Sequence, residues 1–480
     1  MAANTSEEKK SLDRRKFVKT AGLGAAGFLI VPRHVLGRGY RPPSDKLNIA
    51  LIGCGGKGEA HRESLKKKEN LVAFCDVDDV RAGGTYAMFP KVPRYRDYRK
   101  MLDEMGKSID ACVISTPDHT HAVATMACMQ MGKHVYVEKP LTHSIWEARE
   151  LLKAAKKYKV VTQMGNQGAS MDCNREIVEW IQSGTIGDVT RVHIWTNRPV
   201  WPQGVPTPTE KVSVPDTLDW DLWQGPAAER PYHPAYLPFK WRGWWEYGTG
   251  AFGDMGCHLV DPAYRALKLT APVSVEASAS TVWVGDFVES NFPDSCPPSS
   301  LVKMQFPARE DMPACELWWY DGGIRPMRPE ELGPNEPFGS WDGGVLFEGT
   351  KGKMMCGIFG ENPTLLPTSL MKDVKQPKPW LKRVKGDHQE VWAEACKGKG
   401  EATSPFEYAV PLTEALLIGN LAVRCYDFKI LQPGKTPTSW APYDYPGRIR
   451  LEWDAENVRV TNFEEANRFV KREYRKGWTL

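Results

Sequence analysis

The chain has 480 residues, 41% hydrophobic and 25% charged, with a formal net charge of +4. That length exceeds one ordinary domain, and the composition is that of a folded globular chain, not a disordered or collagen-like one. The first 44 residues hold nine Lys/Arg against three acids, which leaves 54 basic and 56 acidic residues, a net −2, in the rest. The basic balance therefore belongs to the leader, and nothing in the body points to a nucleic-acid partner.

Within the leader, Asp13-Arg14-Arg15-Lys16-Phe17-Val18-Lys19 precedes an apolar run from Ala21 to Val31, too short to span a bilayer as a helix. A charged segment before a short apolar one reads as a targeting signal, here of the twin-arginine type, so export to the periplasm is expected. Gly22, Gly24 and Gly27 disfavour the plainer reading as a basic surface helix. No A-x-A cleavage site follows in Pro32–Gly37, which leaves open a leader retained as a membrane anchor. The eleven cysteines form no C-x-x-C pair, and Cys54, Cys75, Cys112 and Cys128 sit in apolar patterns as small core residues.

From residue 45, short apolar runs alternate with helical stretches. Strands are expected over Leu47–Ile52, Leu71–Cys75, Asp110–Ser115, His134–Val137 and Val160–Met164. Helices are expected over Lys57–Glu69, Tyr98–Met105, His119–Met131 and, opened by a capping box at Ser144–Glu147, to Tyr158. Continuous apolar strands separated by helices predict a doubly wound parallel sheet over residues 45–165. After Gly168 the pattern changes to a helix over Arg175–Gln182, a strand over Val189–Thr196 and a tryptophan-dense stretch. Strands near Val273–Val284, Ser300–Phe306 and Ala314–Tyr320 and a helix over Pro411–Cys425 follow. This predicts an α+β domain on an open, mostly antiparallel sheet over 166–430, with 431–480 as an extension of no assigned role. No internal repeat or transmembrane segment is read.

Gly53-Cys54-Gly55-Gly56-Lys57-Gly58 follows the first strand and opens a helix, which fits G-x-G-x-x-G in the context that dinucleotide binding requires. Asp76 ends the second strand, where a carboxylate accepts from a ribose diol and repels a 2′-phosphate, so NAD is expected over NADP. A second glycine pattern, Gly248-Thr249-Gly250-Ala251-Phe252-Gly253, follows no strand and reads as flexible backbone beside a site. Glu138-Lys139-Pro140 ends another strand, which puts Lys139 beside the nicotinamide. Asp254 and His258, at i and i+4, share one helix face. In isolation that pair is a structural hydrogen bond, and with no third ligand at suitable spacing no metal is expected.

Taken in order, Gly53–Gly58, Glu138-Lys139-Pro140 and Asp254-x-x-x-His258 resemble the motifs of the glucose–fructose oxidoreductase/inositol dehydrogenase/MocA family, over about residues 46–425. The resemblance implies a Rossmann domain, a second domain whose sheet often serves dimerisation, and a homo-oligomer. Lys139 matches the family's active-site lysine, and Asp254 and His258 its acid and histidine. Ser115, Thr116, Pro117, His121, Asn166 and Gln167 fall where members contact the nicotinamide half, although His121 reads equally well as a polar helix start. The leader and Trp241-Arg242-Gly243-Trp244-Trp245-Glu246-Tyr247 look like a secreted, carbohydrate-acting subgroup. Arg242, Trp244, Trp245 and Tyr247 are its candidate substrate residues, with core packing the alternative for each aromatic. The G-N-x-Y-P-T-H-G stretch of NAD-dependent glycosidases in the family is absent.

The expected chemistry is oxidation of a secondary sugar or glycoside hydroxyl, at C3 in the secreted subgroup. His258 is the expected base, oriented by Asp254, and Lys139 stabilises the oxygen, the two being able to exchange roles. A tightly held NAD then needs a second sugar or an electron acceptor to recycle it, and a partner lyase can expel the aglycone beside the new ketone. The rivals are a redox-neutral NAD-dependent glycosidase and a non-catalytic sugar-binding protein.

Overall fold

A computed structural model describes residues 45–480; the arginine pair and apolar run of the leader lie in residues 1–44, outside the described residues. Six strands form the first sheet: β1 (Asn48–Ile52), β2 (Asn70–Cys75), β3 (Arg94–Tyr95), β4 (Ala111–Ile114), β5 (His134–Val137) and β6 (Thr162–Met164). They are all parallel, in the order β3-β2-β1-β4-β5-β6. Every residue of β4 and all but the first of β1 are buried, so a continuous apolar run here means a strand covered on both faces. The covering helices are α1 (Lys57–Leu65), α2 (Gly83–Met88), α3 (Tyr98–Met105), α4 (Asp118–Gln130) and α5 (Ile145–Tyr158). The capping box of α5 forms as expected, with Ser144 Oγ accepting from Glu147 N and Glu147 Oε2 accepting from Ser144 N at 2.9 Å. Helix α1 ends at Leu65, short of Glu69, whose carboxylate instead accepts from Leu47 N at 2.8 Å.

The second sheet has nine strands: β7 (Val189–Thr196), β8 (Ser274–Ala279), β9 (Ser300–Phe306), β10 (Cys315–Tyr320), β11 (Gly343–Gly349), β12 (Lys353–Cys356), β13 (Thr364–Leu366), β14 (Leu451–Asp454) and β15 (Arg459–Val460). Their order is β13-β12-β11-β7-β10-β9-β8-β14-β15. All neighbours are antiparallel except β7 and β10. Strand β9 alternates buried and half-buried residues along its length, the period-2 pattern of a sheet with one face on a core. Residues after 430 are part of this sheet: Leu451 and Glu452 pair with Val275 and Ser274 of β8.

The inner face of the sheet packs on α6 (Gly250–Leu259) and α7 (Phe406–Tyr426). Helix α7 starts five residues before Pro411. Tyr408 and Ala409 N–H groups bond to Pro405 O, so the first turn forms upstream and Pro411 is accommodated inside the helix. By length and composition α7 is apolar enough to cross a membrane, yet it is buried among other elements as a core helix. It also joins the two sheets, since Glu414 accepts from the Arg149 guanidinium of α5 at 2.5 and 2.6 Å. All eleven cysteines, Cys54, Cys75, Cys112 and Cys128 among them, are free thiols, and those four are buried.

Helices α6 and α7 meet at Gly419, where a Cβ would lie 2.0 Å from Phe252 Cε1. Gly419→Ala is therefore expected to overpack this contact and cost about 1–3 kcal/mol, read as a lowered midpoint in chemical denaturation with unchanged slope.

Candidate active site

The C-terminal ends of β1, β2, β4 and β5 open onto one cavity of about 810 Å³, whose opposite wall comes from the second sheet's domain. Strand order reverses between β1 and β4, and the glycine loop lies there. Gly53 (φ +86°) and Gly56 (φ +54°) occupy left-handed backbone that side chains disfavour. A Cβ on Gly53 would sit 2.7 Å from Ser115 carbonyl atoms, and one on Gly58 only 2.1 Å from Gly53 O. The loop is thus a cradle that a side chain would fill, pressed onto α1 as dinucleotide phosphates require. Asp76 ends β2 and accepts from Cys54 N (2.7 Å), Gly55 N (3.3 Å) and Asp78 N (3.0 Å). Burial pushes its carboxyl above the usual range, while these backbone donors pull the other way. Gly53, Gly55, Gly56, Lys57 and Asp76 all line the cavity.

At the end of β5, Lys139 Nζ donates to Asp254 Oδ1 (2.9 Å) and to the Asp254 carbonyl (2.7 Å). Arg242 Nε donates to the same Oδ1 at 3.0 Å. Burial opposes ionisation of Asp254, but the two cations outweigh it and hold its carboxyl well below the usual range. The expected Asp254–His258 hydrogen bond does not form. The i, i+4 spacing does put both on one face of α6, but Lys139 and Arg242 take the carboxylate. His258 is left with a buried Nδ1 that has no partner among the described residues, its ring packed edge-on against Phe359 at 4.9 Å. Burial, and then the Lys139 charge, lower its pKa to about 3, so the imidazole is neutral.

The remaining sequence expectations divide by position. Ser115, Thr116 and Pro117 line the cavity, with the Ser115 and Thr116 hydroxyls buried and without a partner among the described residues. Glu138 also lines it; burial opposes its charge, but His61, hydrogen-bonded at 2.9 Å, holds the carboxyl below its usual range. His121 lies behind the wall, its ring nitrogens each 2.8 Å from Pro140 O and Thr116 O, so it fastens the two loops that carry Lys139 and Thr116. Asn166 is fully buried against Asp261 and Gln167 opens a short 3-10 turn; neither lines the cavity. Arg242 lines it, whereas Trp244, Trp245 and Tyr247 do not. These three are core residues, 2%, 9% and 0% exposed, and Tyr247 packs among Trp223, Trp220, Tyr236 and His119. Gly250 and Gly253 belong to helix α6, not to a flexible loop.

The aromatic walls are instead Trp201, Trp223, Trp241, Phe239, Phe359 and Trp341, the last 77% exposed at the cavity edge. Arg81 and Asp342 also line the cavity without a sequence signal, and so does Asp118, inside the segment Ser115–His121. Arg81 places its guanidinium over the glycine loop, 2.8 Å from where a Gly56 Cβ would be. Asp342 accepts both guanidinium arms of Arg198, at 2.7 to 3.2 Å. Asp118, at the start of α4, is 1% exposed and accepts from Thr249 Oγ1 at 2.8 Å, which ties the parallel sheet to the N-terminus of α6. Burial and then the Asp254 charge push its carboxyl up to about 7.

A buried acid whose pKa is raised on folding contributes stability in full below its unfolded pKa and loses it as pH climbs through the folded value. Asp118→Asn is therefore expected to gain stability relative to the parent between about pH 4 and 7, and no further above that. Denaturant titrations of both proteins across this range check it; a difference that stays flat with pH would contradict it.

The model of the oxidoreductase family's NAD-binding Rossmann fold matches residues 47–166, and that of its C-terminal alpha/beta domain matches residues 174–287. A myo-inositol 2-dehydrogenase of Thermotoga maritima is 26% identical over 179 residues, 37% of this chain and 51% of the relative. A glycosyl hydrolase family 109 protein of Shewanella pealeana is 28% identical over 207 residues, 37% of this chain and 44% of the relative. The chain thus spans about half the length of the curated relatives it matches. The WlbA dehydrogenase of Bordetella pertussis, solved with NADH and UDP-GlcNAcA, shares the fold with a TM-score of 0.54 at 17% identity, over 79% of this chain and 97% of the other. Two domains are thus matched, in chain order, by models of the Gfo/Idh/MocA oxidoreductase family.

Proposed function

We propose that the protein is an NAD-dependent dehydrogenase that oxidises a secondary hydroxyl of a sugar or glycoside, with C3 of a glycoside the favoured position. The observation that carries this reading is a single cavity that contains both the glycine cradle and the Lys139–Asp254–Arg242 cluster beside His258. Gly53–Gly58 and Arg81 would hold the pyrophosphate, Asp76 the ribose diol, and the hydroxyls of Ser115 and Thr116 the nicotinamide half. Asp76 favours NAD over NADP, and the nearby Arg96 is already engaged by Asp79. When bound, the nicotinamide supplies the hydride acceptor.

The chain's own residues handle the proton and the charge. His258, which lines the cavity, takes the hydroxyl proton: burial and the Lys139 charge lower its pKa, so the imidazole is neutral and one ring nitrogen can accept. Lys139 donates to the reacting oxygen and stabilises the negative charge that grows as the proton leaves. Asp254 and Arg242 fix the position of Lys139. Trp341 and Trp201 offer apolar faces for sugar C–H surfaces. The enzyme works as a homo-oligomer, with a second sugar or an electron acceptor to recycle the cofactor and a lyase downstream to act beside the new ketone. Export through the twin-arginine pathway is supported by the leader alone.

The deciding experiment takes protein purified without added cofactor and follows 340 nm absorbance against a panel of glycosides, with mass spectrometry of the sugars. A rise with a two-dalton loss is expected. Cleavage with no net oxidation would make the protein a redox-neutral glycosidase, the chemistry hinted at by the family 109 relative. Silence with NAD supplied leaves only a sugar-binding role. His258→Ala should lower kcat/KM about 10²-fold or more with NAD affinity retained, while Trp341→Ala should raise KM with little change in kcat. Replacing Arg14 and Arg15 by lysine should retain the protein in the cytoplasm, read by cell fractionation.

A further inference from the structure

The cavity has a wall that no motif announces. Val470–Trp478 leaves the edge of the second sheet and runs across both halves of the molecule. Val470 O accepts from Trp146 N at 3.1 Å. Arg472 pairs with Glu147 at 3.0 Å and reaches the His119 carbonyl, and Tyr474 OH donates to the same Glu147 oxygen at 2.6 Å. Glu147 is fully buried, so the segment supplies the counter-charge of a buried carboxylate and does not merely rest on the surface. Arg475 is fastened to the other side, to Gly225 O and Asp221 at 2.5 Å, with its own N–H on Pro226 O. These anchors deliver Trp478 to the cavity wall, where Arg99 lies 4.5 Å from its ring and Tyr98 6.4 Å away at a 49° tilt.

The place of Trp478 follows from strand order. From the β1/β4 crevice, Lys139 lies toward β5, while β2 and β3 extend the other way. A dinucleotide laid across the strand ends with its reacting ring at Lys139 must carry its adenosine past Asp76, at the end of β2, toward Tyr98, just after β3. That is where Trp478 stands. We infer that Trp478, with Tyr98, forms the adenine-binding corner of the cofactor site, and that the strap Val470–Trp478 governs how long the dinucleotide stays bound. This rests on the dinucleotide reading above. An indole beside a tyrosine is a non-specific platform for a flat purine, and a strap that must lift before the purine can leave slows release without any new contact at the reacting end.

The test uses calorimetry with NAD, ADP-ribose and nicotinamide mononucleotide on the full-length protein, and the release rate of NAD in a chase. Trp478→Ala is expected to weaken NAD and ADP-ribose about tenfold or more and to leave the mononucleotide unchanged, with Trp478→Phe restoring most of the loss. Arg475→Ala, which frees the strap but keeps the indole, is expected to speed NAD release. Unchanged NAD affinity in Trp478→Ala, or equal losses for NAD and the mononucleotide, overturns the inference and leaves the dinucleotide reading standing. If Trp478→Ala fails to fold, Trp478→Phe and Arg475→Ala decide, and parent-like NAD release from Arg475→Ala overturns the strap. Failure of the parent protein to bind NAD removes the dinucleotide reading and this inference with it.

Discussion

The site depends on one buried ion cluster. Asp254, from helix α6 of the second domain, carries the negative charge that allows Lys139, from the parallel sheet, and Arg242, from the loop before α6, to lie out of water together. Each of the three would be costly alone in such a place, and the pair of cations would repel without the carboxylate. The cluster therefore fixes chemistry and architecture at once, because its charges come from separate parts of the fold. His258 is a by-product of the same arrangement. With Oδ1 of Asp254 taken by both cations, its Nδ1 has no partner among the described residues and the ring stays neutral beside a cation.

Around that cluster the structure places a second set of contacts that bring the two sheets together. Asp118 to Thr249, Arg149 to Glu414 and Arg472 to Glu147 each tie the parallel-sheet domain to the rest of the molecule. Each uses a buried carboxyl group, so separating the two domains at these points would break buried hydrogen bonds as well as expose apolar surface. This argues for a cavity whose walls keep their spacing, the property that a site for hydride transfer requires.

What could be read from sequence was local. The glycine loop, Asp76 and the capping box at Ser144 each declare themselves within a few residues, because turn geometry and strand ends are set by near neighbours. The doubly wound parallel sheet followed from the alternation of apolar runs and helices, whereas its strand order and the two-residue strand β3 did not. The tryptophan-rich stretch was harder, because aromatic density alone does not separate a sugar platform from a packed core. Trp244 and Tyr247 went to the core, while Trp241, three residues before Trp244, faces the cavity. The partner of Asp254 was also out of reach. Spacing along α6 named His258 as a neighbour, but the winning contacts come from residues 115 and 12 positions away. Trp478 is the extreme case, since nothing near it in sequence hints that it meets Tyr98.

The pairing of β8 with β14 carries a consequence for biosynthesis. On one side β8 pairs with β9, but on its other side Ser274 and Val275 find their partners at Glu452 and Leu451, so that side of the nine-stranded sheet waits for chain made about 175 residues later. Until then the edge of β8 is an unpaired row of backbone donors and acceptors, open to wrong partners. A nascent chain of this kind benefits from shielding until synthesis has passed Asp454, and contact order, more than stability, sets when it becomes safe.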